Sequence, residues 1–225
     1  PYGDADLICN AIRENADDLA AFIMEPVMVN PMVYLKTVAP AKYLQAIQEA
    51  CTESNCALIF DEVMTSRLSP GGAQELVGVI PDMTTFGNYY GGGFPFGGFG
   101  GTKKWMERHD PLHPETINSG GTFNQNALCM TAVDAVFEHL WTPEQCNTHN
   151  AKGDWFREEI NKLSKDNNLP CQACGTGSLI TLIWQQRPVV RDPTGTNGAH
   201  RLDLAPQRSV FEASQLFWFY MLQEH

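Results

Sequence analysis

Basic residues are scarce in this sequence. Its 225 residues carry 15 lysines and arginines against 26 aspartates and glutamates, a formal charge of −11, and neither sign gathers into a long block. Such a surface does not attract polyphosphates or anionic lipids, which argues against nucleic acid or a membrane as the main partner. Long apolar runs are also missing. The longest, such as residues 178–184, fall well short of the roughly 18 residues of a spanning helix and suit buried strands. Cysteine spacing lacks a metal or disulfide pattern. Cys9, Cys51, Cys56, Cys129, Cys146, Cys171 and Cys174 are scattered, and the lone Cys171-x-x-Cys174 has neither a second pair nor histidines at ligand spacing. No metal site is expected.

What is present is the composition of a folded domain, with 43% hydrophobic and 18% charged residues. Residues 4–19 place Ile8, Ile12 and Leu19 at helical spacing, and residues 41–54 repeat the pattern. Residues 20–24 and 56–60 are short apolar runs that read as buried strands, and 83–86 is a third short strand candidate. Helix, strand, helix, strand in this rhythm predicts an α/β fold with a mostly parallel sheet. Ligands collect at the carboxyl ends of such strands, where Glu25 and Asp61 fall. The glycine-dense, aromatic-bearing run 91–101 predicts a tight turn and strand beside a ligand. Residues 126–140 and 143–163 read as helices, 175–184 as one strand and 207–223 as a helix. These divide the chain into a large domain over 1–142, and connecting helices with an incomplete small α/β domain over 143–225.

Three blocks carry chemistry. They are Leu58-Ile-Phe-Asp61-Glu62-Val63-Met-Thr65, then Pro81-Asp-Met-Thr-Thr85-Phe-Gly87-Asn88-Tyr-Tyr-Gly-Gly-Gly93, and Gly120-Gly121-Thr122-Phe-Asn-Gln-Asn126. In order and spacing they resemble the class III aminotransferases, most closely glutamate-1-semialdehyde aminomutase-like members of fungal type. The resemblance is strongest over residues 20–132. It implies the fold type I of pyridoxal 5′-phosphate-dependent transferases, and a small-molecule amino acid or amino-aldehyde as substrate. A cytoplasmic homodimer with a shared active site follows from it as well. Asp61 matches the residue that pairs with the ring nitrogen, Val63 the residue stacked on the ring, and Asn30 a partner of the phenolic oxygen. Gly121 and Thr122 match donors to the phosphate of the neighbouring subunit's cofactor. Arg67 matches an arginine near the active-site entrance that can meet substrate.

At Asn88 the match breaks. The family has its Schiff-base lysine here, which holds the cofactor covalently and shuttles protons. An amide can do neither. Lys103 and Lys104 read as a solvated pair, and no other lysine has a motif around it. The cofactor, if bound, is therefore expected non-covalently, and ordinary transamination is doubtful. Three readings stay open: an altered conventional enzyme, a natural lysine-lacking homologue with different chemistry or a ligand-binding, regulatory role, and a decayed copy. The chain opens on Pro1 and ends within a helical pattern, and family members are about twice as long, so it reads as a fragment or a very short member.

Overall fold

The computed structural model describes residues 4–27, 41–117 and 120–184. Asn30 and the helix expected over 207–223 lie outside the described residues.

Helix α1 spans Ala5–Glu14. Asp4 caps it, accepting the Leu7 N–H at 3.0 Å, and Cys9 and Ile12 form its buried stripe. Strand β1 (Ala21–Met24) leads to α2 (Ala41–Glu53), which buries Tyr43, Leu44, Ile47, Ala50 and Cys51 along one face. α2 stops in a left-handed turn. Asn55 takes φ +50°, and the N–H of Cys56 returns to the Cys51 carbonyl at 2.9 Å, the bond that closes a helix whose next residue cannot continue it. The chain then enters β2 (Ala57–Asp61), where Leu58 and Phe60 are fully buried.

β2 pairs in parallel with β1 and with β3 (Met83–Gly87), and the short helix α3 (Ala73–Val77) precedes β3. β4 (Gly97–Gly101) runs back antiparallel to β3, giving the order β1-β2-β3-β4. The glycines of β4 permit this close return: a Cβ on Gly101 would strike the Asp82 carbonyl. α1 and α2 cover one face of the sheet, joining Leu58, Phe60, Val77 and Val79 in the main core.

Beyond β4 come the short helix α4 (Lys103–Met106), α5 (Ala127–Ala135) widening into a π turn at Val136–Leu140, and the long α6 (Pro143–Asp166). β5 (Cys171–Thr176) and β6 (Leu179–Trp184) form a separate antiparallel pair beside α6.

Two expectations change. β1 is not a buried strand: it has one sheet neighbour among the described residues, and Ile23 is 57% exposed. The single strand expected over 175–184 is a hairpin instead. Gly177 at φ +52° makes its turn, so the first strand lies earlier, over Cys171–Thr176. Among the described residues no helix is long and apolar enough to cross a membrane, and no cluster of histidine, cysteine and carboxylate side chains could hold a metal.

Candidate cofactor site at the carboxyl end of the sheet

Parallel pairing delivers the first site residue. Asp61 closes β2 opposite Thr85 of β3, and one carboxylate oxygen, Oδ1, accepts both the Thr85 hydroxyl and the Val63 N–H at 3.1 Å. Its second oxygen has no hydrogen-bond partner among the described residues. The carboxylate is thus fixed at one end and available at the other, as an acceptor for a protonated ring nitrogen must be. Val63 is half-buried beside it.

Asn88 follows at the end of β3, first in the 3-10 turn Asn88–Gly91 and at φ +53°. Asparagine is one of the few side chains that visit this left-handed region readily. Its Nδ2 donates to the Val63 carbonyl at 3.4 Å and to the Met64 sulfur at 3.0 Å. A carbonyl accepts only from the NH2 end of the amide, so Oδ1 is the free end, and it has no partner among the described residues.

Glu62 lies behind Asp61 and is fully buried. Its Oε2 accepts the Ala73 N–H at 2.5 Å and its Oε1 the Gln74 N–H at 3.0 Å, while Thr65 adds a hydroxyl at 3.3 Å. Burial pushes this carboxyl above the usual glutamate range, and the two backbone donors and Thr65 partly offset that. The carboxylate caps α3 from outside its own segment. Gly72 makes room for it: at φ +79° a Cβ would sit 2.8 Å from the Glu62 carboxylate. This cap folds the segment after Asp61 back onto the sheet.

The returning segment carries Arg67. Its guanidinium stands 5.1 Å from the centre of the Tyr89 ring, and Nη2 donates to His149 Nε2 at 3.1 Å. Burial, then the charges of Arg67 and Lys152, hold His149 below the ordinary histidine range, which keeps its Nε2 an acceptor. Tyr89 shares a hydrogen bond with the Ser66 hydroxyl at 3.1 Å, and burial pushes its phenol well above the usual range. Tyr90 stacks on Phe137 with ring centres 4.7 Å apart, and Tyr89 lies 4.8 Å from Trp141. These rings lock the turn after Asn88 onto the helix that follows.

Asp61, Val63 and Asn88 therefore meet, and Arg67 joins them through Ser66 and Tyr89. Gly121 and Thr122 do not. They stand exposed, hydrogen-bonded to none of the other candidates among the described residues, and next to Phe123, which is 88% exposed. The start of α5 close by has its own cap, because Asn126 Oδ1 accepts the N–H groups of Leu128 and Cys129 at 3.0 and 3.3 Å.

Sequence reasoning gave no role to Thr85, Glu62 or His149. Thr85 could have been found from the pairing of two adjacent parallel strands. Glu62 and His149 act across folds in the chain that no local spacing reveals.

The family model described as "Aminotransferase class-III" matches residues 5–198. An uncharacterized aminotransferase of Schizosaccharomyces pombe is 36% identical over 212 residues, covering 93% of this chain and 44% of that protein. A glutamate-1-semialdehyde 2,1-aminomutase of Methanosarcina acetivorans is 36% identical over 190 residues, 84% of this chain and 43% of that one. Among solved structures, a β-phenylalanine aminotransferase from Variovorax paradoxus superposes with a TM-score of 0.73 at 34% identity, covering 84% of this chain and 43% of its own. An ω-transaminase from Sphaerobacter thermophilus gives 0.74 at 34%, covering 84% and 42%. The chain spans less than half the length of these relatives.

Proposed function

This chain belongs to the class-III aminotransferase family, and from that premise we propose that it binds pyridoxal 5′-phosphate without a covalent link, as a lysine-lacking homologue directed at an amino acid or amino-aldehyde. One observation carries the reading. Asp61 is pinned through a single oxygen by Thr85 and Val63, leaving the other oxygen free at the carboxyl end of a parallel strand. When bound, the cofactor supplies an aldehyde that condenses with amines and a ring that withdraws electrons.

This chain's residues have simpler tasks. Asp61 would hold a proton on the ring nitrogen, and Val63 would offer a stiff, branched apolar face to the ring. Asn30 would donate to the phenolic oxygen. Gly121 and Thr122, exposed on their turn, would serve the phosphate in the site of a second copy, so that a homodimer completes each pocket. Arg67, fixed against Tyr89 and His149, would border the entrance for a substrate carboxylate.

Asn88 sets the limit on activity. A neutral amide takes no proton near neutral pH, and removal of a positioned base lowers rates by about 10² to 10⁴. Its tether to Val63 and Met64 favours a role in holding a ligand over transamination.

The test is a calorimetric titration of the chain with pyridoxal phosphate, then borohydride reduction and peptide mapping. Saturable binding with no site-specific pyridoxyl label is expected, and Asp61→Ala should weaken it by about ten- to a hundredfold, the worth of one charged hydrogen bond. Unchanged affinity in Asp61→Ala would remove that residue from the pocket. A label on one specific lysine would restore a conventional covalent enzyme.

A further inference from the structure

We infer that Asn88 makes this pocket selective for the amine form of the cofactor, pyridoxamine phosphate, over the aldehyde form. The inference rests on the cofactor reading above. The two ends of the Asn88 amide are not equivalent in this fold. The NH2 end is committed to the Val63 carbonyl and the Met64 sulfur, while the oxygen faces no protein donor among the described residues.

Whatever lies against that oxygen must donate. The aminomethyl group of pyridoxamine phosphate brings an amine or ammonium donor that pairs with this oxygen directly, whereas the aldehyde of pyridoxal phosphate brings only an acceptor and leaves the exposed Asn88 oxygen to water. A lysine has the opposite character, with three donors and no acceptor. The exchange at residue 88 therefore inverts the hydrogen-bonding demand of the position as well as removing an amine.

The geometry also holds the oxygen in place. At φ +53° the Asn88 backbone is set by the tight turn out of β3, and the tether to Val63 reaches the same residue whose N–H is held by Asp61. The oxygen is thus positioned relative to the carboxylate that would hold the other side of the ring.

The experiment titrates the intact chain with three probes that differ only at the 4′ position: pyridoxamine phosphate, 4′-deoxypyridoxine phosphate and pyridoxal phosphate. Pyridoxamine phosphate should bind at least about tenfold tighter than the deoxy compound, the value of a hydrogen bond to a charged donor. Pyridoxal phosphate should bind no tighter than the deoxy compound. Asn88→Ala should erase the preference between the amine and deoxy compounds, even though loss of the tether to Val63 shifts both affinities together. Equal affinity for all three in the unaltered chain, or a preference that survives Asn88→Ala, would overturn the inference and leave the cofactor site standing. Binding of none of the three would overturn the cofactor reading itself, and the inference with it.

Discussion

Asp61 and Asn88 converge on a single residue: Asp61 Oδ1 accepts the N–H of Val63 at 3.1 Å and Asn88 Nδ2 donates to the carbonyl of Val63 at 3.4 Å. One residue is at the end of β2 and the other just past β3, so the pairing of two parallel strands is what brings them together. Val63 is thereby fixed by both polar groups of its backbone, and its side chain is presented in one orientation. The Asn88 amide tightens the site by supplying this bond.

Placing a lysine at residue 88 tests what that bond is worth. Asn88→Lys should lower stability by about 1 kcal/mol, since lysine lacks asparagine's ease in the left-handed region and the tether to Val63 is lost. Thermal unfolding would read that change. The same variant should gain a borohydride-reducible bond to pyridoxal phosphate, mapped to residue 88 by peptide mass. A variant that still bound only non-covalently would count against the assignment of this position.

Glu62 gives the site a pH dependence of known sign. Burial raises its folded pKa above the unfolded value, which is about 4.3, so between the two the folded chain binds more protons than the unfolded one. Stability from this group is present below the unfolded value and is lost as pH rises through the folded one. Denaturant unfolding from pH 4 upward should show this fall in the unaltered chain and a flatter profile in Glu62→Gln. Glu62→Ala should cost about 2–4 kcal/mol at any pH, because two backbone donors at the start of α3 lose their acceptor. Parallel profiles for the unaltered chain and Glu62→Gln would show that Glu62 titrates normally.

Much of this is legible in the sequence. A continuous apolar run marks β2, and 3.6-residue spacing marks α1 and α2, because both patterns arise from local geometry. Asp61, Val63 and Asn88 are grouped by the family resemblance of their motif blocks, while strand-end geometry alone singles out Glu25 and Asp61. The hairpin at Gly177 was hidden inside an apolar stretch where one glycine changes the strand count. The Arg67–His149 contact spans 82 residues, and nothing at either end announces the other. The exposure of β1 was invisible too, since an apolar run reads the same whether or not a neighbour covers it.

His149 should titrate below the ordinary histidine value of about 6.5, through burial first and the Arg67 charge second. A depressed histidine pKa means the unfolded chain binds the extra proton first, so stability from this contact is present above about pH 6.5 and is lost as pH falls toward the folded value. Protonated His149 has no lone pair for Arg67, and the guanidinium must leave it. Proton NMR titration of the ring should place His149 low and move it upward in Arg67→Ala. An unmoved midpoint in that variant would mean that Arg67 does not act on His149 in solution.

Asn150 ties the segment after Asp61 to the β5–β6 hairpin. Its Nδ2 donates to the carbonyls of Arg67 and Leu68 at 2.9 and 3.1 Å, and its Oδ1 accepts the Ser178 N–H at 2.9 Å in the turn of the β5–β6 hairpin. One half-buried amide therefore fastens α6 to the segment after Asp61 and to the hairpin at once. Asn150→Ala should cost about 2–4 kcal/mol, since all three backbone groups lose a partner. Asn150→Asp separates the two connections, because a carboxylate still accepts from Ser178 but repels the carbonyls of Arg67 and Leu68. Hydrogen exchange at the Ser178 amide should then accelerate in Asn150→Ala and stay slow in Asn150→Asp, while both variants weaken the hold on Arg67. Equal protection of Ser178 in both would mean that packing of Leu179 against Val27, Leu68 and Ala73 holds the hairpin turn without the amide.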